Sequence, residues 1–298
     1  MGLRTRISQR QRRVGQELQR LREVAGLSGA EAGAHIGLGR PHMSHVEAGR
    51  THISEANLRT LCQVYGCTDS DLVDVLVAMS QSDGKGWWTR HRWARGTRAW
   101  DLAELESLAT HFRIFEWLYV PGLLQTSDYM RSLFTLGNQG LPKDRIDEYT
   151  EFRLRRQQVL TDEPLRRFHA IIHESAFHME FADPQVMRRQ LEHLVEASQL
   201  PNVVIQVLPF SASRTSLTPG APFNVYDLCT PSLRTVYVEH PTSAVFLADH
   251  SHLDQFAREF DRLSSVALAP LKATDHLGEG SLGFVQHKRY LLKGDNSA

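Results

Sequence analysis

Long apolar runs are missing from this sequence. Nowhere does it approach the roughly 20 successive apolar residues that a membrane-spanning helix needs, so no membrane partner is expected. The opening MGLRTRISQRQRR is basic but leads into no apolar stretch, which argues against a secretory signal, and the residues after Met1-Gly2 do not suit myristoylation. Cysteine is scarce: Cys62, Cys67 and Cys229 are all that 298 residues contain, as suits the reducing cytoplasm where the protein is expected to work. Cys62 and Cys67 lack a second pair to complete a metal site and read as small core residues.

Catalytic patterns are lacking too. There is no G-x-S-x-G elbow, no P-loop and no paired C-x-x-C. HESAFH (His173 to His178) spaces its histidines five apart instead of four, which puts them on different helix faces. GEGSLG (Gly278 to Gly283) has no βαβ unit after it and reads as a flexible tail. His35, His42, His45 and His52 read as surface or DNA-facing groups rather than metal ligands. No catalytic residue, metal or cofactor is therefore expected. An enzymatic reading would need a deep polar pocket holding His169, His173 or Glu174.

What is present is an ordinary globular composition, 41% hydrophobic and 23% charged, with a formal net charge of zero. That zero hides an asymmetry, because residues 1–60 carry ten arginines against five glutamates, a surplus suited to a polyanion. The same region reads as five short helices. Val14, Leu18, Leu21 and Ala25 recur at helical spacing and stop before Gly26. Ser28 caps a helix that ends at Gly37, and Gly39 precedes a third over residues 40–48, with Pro41 in its first turn, Met43 and Val46 inward, and Gly49 closing it. A fourth opens at Ser54-Glu55 and stops at Gly66, and a fifth spans about 69–79.

Farther along, a polar run from Gln81 reads as a linker. Amphipathic helices are expected at 101–119 and 126–136, a charged helix at 144–161, and others at 184–199 and 252–267. Strand-like runs lie at 167–172, 203–209, 223–228, 235–240 and 244–248. The expected organisation is a helix-turn-helix domain at 1–82, a helical linking region at 83–163, an α+β effector or partner-binding domain at 164–270 and a C-terminal tail at 271–298. The fold class is multidomain: an all-α bundle followed by helices packed on one small mixed sheet.

LSGAEAGAHIGLGRPHMSHVEAGR (Leu27 to Arg50) matches helix-turn-helix geometry, in which the second helix enters the major groove. With Gly37-Leu38 as the turn and Ser44-His45-Val46-Glu47-Ala48-Gly49 as the ending, it resembles the Xre, phage repressor-like family over residues 12–80. Two departures stand out. Gly29 replaces a common glutamine that contacts DNA, and Gly39 replaces a serine cap, which weakens the helix start by roughly 1 kcal/mol or less. The resemblance implies base contacts from Arg40, His42, Ser44 and His45, with Arg40 suited to guanine O6 and N7. It implies phosphate contacts from Ser28, Arg50 and Thr51, and a structural pair between Arg22 and Glu47.

GWW (Gly86 to Trp88), VPGLLQTSDYMRSLF (Val120 to Phe134), RLRRQQVL, LPNVVIQVLPFS and TVYVEH occur in an order similar to actinobacterial Xre-type regulators with a large C-terminal domain, the WhiJ-like or antitoxin-like group. That resemblance implies transcriptional control and a small BldB-like partner protein encoded nearby, in a toxin–antitoxin-like pair; a homodimer on double-stranded DNA is expected. Within Val120–Phe134, Pro121-Gly122 forms a corner and Thr126 caps the following helix. Leu123 and Leu124 then plug the core, or the segment receives a partner helix or small ligand, with Gln125, Tyr129, Trp87 and Trp88 as candidate contacts. Gln125→Ala is expected to leave folding intact. The Trp87-Trp88-Arg90-Arg92-Trp93 cluster either stacks on nucleic acid or packs between domains.

Overall fold

The computed structural model describes residues 6–94, 97–214, 220–240, 243–272 and 280–292. The chain divides into two compact units. The first is Met1–Ala109 with Asp227–Thr235 and Phe246–His252; the second is Thr110–Tyr226 with Val236–Val245 and Leu253–Ala298.

Six helices build the first unit: α1 (Gln9–Val24), α2 (Gly29–Ala34), α3 (Arg40–Glu47), α4 (Glu55–Val64), α5 (Ser70–Gln81) and α6 (Arg98–Leu108). Side-chain caps set several of their starts. The hydroxyls of Ser8, Ser28 and Ser54 and the carboxylate of Asp69 accept the orphan N–H groups of the first turns. Leu18, Met43, Leu58, Leu61 and Leu76 are fully buried where α1, α3, α4 and α5 converge, each contributing roughly 1.5–3 kcal/mol. Two close approaches require glycine. A Cβ on Gly15 would stand 2.2 Å from the Glu47 carbonyl oxygen where α1 crosses α3, and one on Gly33 would stand 2.2 Å from Leu38 O in the turn between α2 and α3. α6 packs on α1: Arg10 Nε bonds Glu104 at 2.7 Å and the Gln9 N–H donates to Asp101 at 3.2 Å.

The second unit contains β1 (His111–Glu116), α7 (Ser127–Gly137), α8 (Lys143–Gln157), β2 (Arg167–His173), α9 (Pro184–Ala197) and β3 (Val203–Leu208). After these come β4 (Phe223–Asp227), β5 (Thr235–His240), β6 (Ser243–Leu247), α10 (His250–Val266) and α11 (Gly280–Leu291). The strands form one mixed sheet in the order β3-β2-β1-β4-β5-β6. β1, β2 and β3 are parallel, in registers that pair His111 with Arg167 and Phe168 with Val203. One face is covered by α10. Phe260 stacks edge-on to His169 at 4.9 Å, Phe256 lies 5.0 Å from Phe223, and Ser264 Oγ donates to Gln206 at 2.7 Å. The β3 edge is closed by the Leu268 and Leu271 N–H groups donating to Val207 and Ile205, and by Ser281 Oγ accepting from the Val207 N–H.

Two expectations are corrected here. The single helix expected over 101–119 is instead α6, ending at Leu108, followed by strand β1, so the stretch 83–163 expected to be helical supplies a central strand. Phe112, Arg113, Ile114 and Phe115 are all buried, and a strand buried on both faces shows no alternation to betray it. The stretch 271–298, expected as a polar tail, includes α11, whose Leu282 and Val285 are buried and which packs on α9 and β3. Burial of that apolar stripe, rather than local propensity, makes the glycine-rich segment helical.

Candidate functional site

α3 offers unengaged polar side chains on one face. Its spacing puts Met43 and Val46 in the core and leaves Arg40, His42 and Ser44 exposed, with His45 half-buried. Gly39 caps it with no side-chain hydrogen bond. Most other described arginines of this region are tied down. Arg10 is buried against Glu104 and also donates to Met79 O. Arg13 is buried against Glu17 and donates to Ser232 O, while Arg20 holds the other oxygen of Glu17. Arg22 grips Glu47 with two bonds, Nε–Oε1 at 2.6 Å and Nη2–Oε2 at 3.0 Å, and its Nη1 donates to Leu27 O at 2.8 Å. Donating to the Glu47 carboxylate raises the Arg22 pKa and keeps the cation in place. Much of the arginine surplus is thus structural. Arg40 and Arg50 are exposed, and no described residue bonds their side chains.

The residues expected at phosphates differ among themselves. Arg50 is exposed beyond α3. Thr51 is 6% exposed, so its side chain is not presented to a phosphate. Ser28 is exposed but engaged in a capping box: its hydroxyl accepts the Glu31 N–H at 3.2 Å and its N–H donates to Glu31 at 2.7 Å. The Ser28 N–H, with its hydroxyl adding to it, holds the Glu31 carboxyl below its usual pKa, so an anion at this helix start would meet a carboxylate.

The candidate partner or effector residues do not form one group. Trp87 and Trp88 lie in the first unit, where their rings meet edge-on at 5.9 Å and Trp88 Nε1 donates to Gly84 O at 3.2 Å. Gln125 and Tyr129 lie in the second unit, 3% and 1% exposed. Gln125 is a buried bracket: its Nε2 donates to Val120 O at 2.7 Å, its Oε1 accepts Arg153 Nη1 at 2.9 Å, and its carbonyl accepts Gln157 Nε2 at 2.7 Å. Against the expectation that Gln125→Ala leaves folding intact, the change would remove the acceptor of the half-buried Arg153 guanidinium and the donor to the Val120 carbonyl.

Sequence reading passed over Gln157 and Gln190, which finish this corner. Gln157 also reaches Gly122 O at 3.2 Å; Gln190 donates to Leu124 O and accepts the Thr126 N–H, both at 2.7 Å. A proline-glycine corner leaves main-chain groups without secondary-structure partners, and a half-buried glutamine on α8 and a buried one on α9 supply them. Leu123 and Leu124 are 3% and 0% exposed and pack beneath it.

The residues that an enzymatic reading would need make hydrogen bonds within the second unit. His169 Nε2 lies 2.7 Å from Gln206 Oε1, and burial lowers its pKa. His173 accepts the Ser175 N–H at 3.2 Å, and Glu174 accepts the Phe210 N–H at 2.8 Å. Among the described residues no group of three or more His, Cys, Asp or Glu could hold a metal ion, and no helix is long and apolar enough to cross a membrane.

A two-helix element whose second helix exposes Arg40, His42 and Ser44 defines the class: a helix-turn-helix, DNA-binding regulator. The family model described as "Helix-turn-helix domain" matches residues 13–76. The model described as "Domain of unknown function (DUF5753)" matches residues 100–279, more than half of the chain, and the chain belongs to that family. No curated protein and no solved structure matches it.

Proposed function

We propose that this chain is a sequence-specific transcriptional regulator that acts in the cytoplasm as a homodimer on pseudo-palindromic duplex DNA, with its second unit responding to a ligand or docking a small partner protein. The observation that carries the reading is the exposed face of α3, where Arg40, His42 and Ser44 stand out over Met43 and Val46. A guanidinium there can bond guanine O6 and N7 together, a pairing that reads sequence rather than charge. The likeness to actinobacterial Xre-type, WhiJ-like regulators supports the same reading, which assigns the chain no catalytic role. Footprinting with Arg40→Ala should show at least a tenfold loss at the specific site, about 1.4 kcal/mol, and little change on random DNA. Equal binding by the two proteins at the specific site would sink the assignment.

A second reading makes the chain an antitoxin-like interaction module that neutralises a small cognate, BldB-like partner. Leu136 on α7 and Leu154 on α8, 55% and 40% exposed, favour it. Stoichiometric co-purification with the product of a neighbouring small gene supports this reading; a ligand-dependent shift in DNA affinity with no bound protein favours the first.

A further inference from the structure

The segment Leu27 to His52, which builds α2, α3 and the turns around them, carries little permanent charge. It contains two arginines, two glutamates and four histidines. Arg22 of α1 meets Glu47 through two hydrogen bonds. With neutral imidazoles, Arg40 and Arg50 against Glu31 therefore leave a surplus of one positive charge. That is little for an element that has to hold a polyanion, whose binding draws on one cation for each phosphate neutralised. Thr51 is buried, and Ser28 sits against the Glu31 carboxylate, so neither makes up the shortfall.

The four histidines are placed to supply the missing charge. His42 is exposed on α3 with Arg40 and Ser44, and half-buried His45 lies three residues on in the last turn of the same helix. Beyond α3 the chain folds back on the His45 carbonyl, which accepts from the Arg50 and Thr51 N–H groups at 2.8 and 3.3 Å, and half-buried His52 follows directly. Exposed His35 closes α2, just before the turn into α3. No described residue bonds or pairs with any of these imidazoles. The helices packed against α3 are α1 and α2. On α1, Arg13, Arg20 and Arg22 are paired with Glu17 and Glu47, Glu23 lies 3.6 Å from Arg22, and Arg12 is exposed. On α2 the Glu31 carboxylate accepts the Ser28 N–H, and at the start of α4 Glu55 is bonded to Arg59 at 2.8 Å. Each nearby carboxylate is thus engaged elsewhere.

We propose that α3 and its flanking turns bind duplex DNA with uptake of protons from the buffer, the imidazoles of His35, His42, His45 and His52 becoming cations against the phosphate backbone. Histidine is the side chain whose charge changes between pH 5 and pH 8. A neighbouring phosphate favours the charged form, so the complex holds more protons than the free protein and affinity rises as pH falls. With all four charged, the surplus grows from one to five. Within the groove an imidazolium donates from both ring nitrogens, which suits the acceptor edge of guanine. The hold of this chain on DNA therefore follows the pH around it.

The inference rests on the reading of α3 as the DNA-binding face, and a duplex of random sequence tests it without a specific site. The affinity of the full chain for that duplex should rise roughly tenfold or more from pH 8 to pH 6 at fixed salt, and the slope of log affinity against log salt should steepen by about one or more. Calorimetry at pH 7 in two buffers of different ionisation heat should show roughly one proton or more taken up per chain. Combining His35→Gln, His42→Gln, His45→Gln and His52→Gln should remove most of both gains, with melting curves at each pH to establish that the variant is folded. Affinity and salt slope of the unaltered protein that stay flat between the two pH values, or binding without proton uptake, overturn the inference whether or not the variant folds. A folded variant that keeps the full gain overturns it too. Footprinting at both pH values separates the two claims. A specific footprint with pH-independent affinity removes only this inference, whereas proton-coupled binding to random DNA with no footprint supports it and removes the sequence-specific reading.

Discussion

Two arginine–glutamate neighbourhoods differ in whether the two charges meet. In the first unit Arg22 and Glu47, each about one-tenth exposed at the side chain, meet through two short hydrogen bonds. In the second, Arg153 and Glu116 share a neighbourhood without meeting. A satisfied pair locks helix to helix and asks nothing more of its surroundings. An unsatisfied one keeps its hydrogen-bonding capacity for something else, at a cost in stability that the rest of the fold must offset.

The sharpest way to break the first neighbourhood acts through the backbone. Gly15→Ala places a methyl group against the Glu47 carbonyl and forces α1 from α3, at a cost of about 3 kcal/mol or more. Thermal denaturation should show the first unit unfolding early, and an unchanged melting temperature would deny the close crossing. Glu47→Ala comes next, at about 2–3 kcal/mol, because it leaves the Arg22 guanidinium without its partner. Gln157→Ala should cost about 1–3 kcal/mol in urea unfolding, through the uncapped carbonyls of Gly122 and Gln125.

Glu116→Gln should run the other way. Because burial in the folded state holds the Glu116 proton up to about pH 8, the native chain binds more protons than the unfolded chain from the ordinary carboxylate range upward. Stability due to this group is therefore full at low pH, falls as pH rises through that window and levels off above it. The glutamine variant lacks this fall and should be the more stable protein at pH 9, with the difference shrinking by pH 6. Urea midpoints across that range check the sign, and a variant that is less stable at pH 9 would mean Glu116 is paired after all. Smallest of all, Arg40→Ala should leave the melting temperature unchanged while altering DNA binding, since no described residue bonds its side chain.

Legibility in the sequence followed how local the controlling physics is. Helix caps at Ser28, Ser54 and Asp69, stops at Gly26 and Gly66, and the inward Met43 and Val46 are settled within a few residues, and they stood out at once. Strands 167–173, 203–208 and 235–240 were readable as apolar β-branched runs between polar breaks. β1 was not, because HFRIFE is buried on both faces and continues directly from a helix. Neither was α11, whose glycines speak against the helix that β3 and α9 impose. At the site level the α3 face could be listed from spacing alone. The burial of Thr51, the bracket at Gln125 and the separation of Glu116 from Arg153 depend on residues far apart in the chain.

By itself the sequence determined a helix-turn-helix module followed by a sheet-containing domain, because periodicity, caps and glycine turns act over a few residues and need no partner. Tertiary structure alone decided which charges are spent. Arg10, Arg13 and Arg22 are consumed by Glu104, Glu17 and Glu47, while among the described residues nothing bonds the Arg40 side chain and Arg153 donates only to Gln125. Whether a charge is paired depends on distances set by packing between distant segments, and no count along the chain contains them.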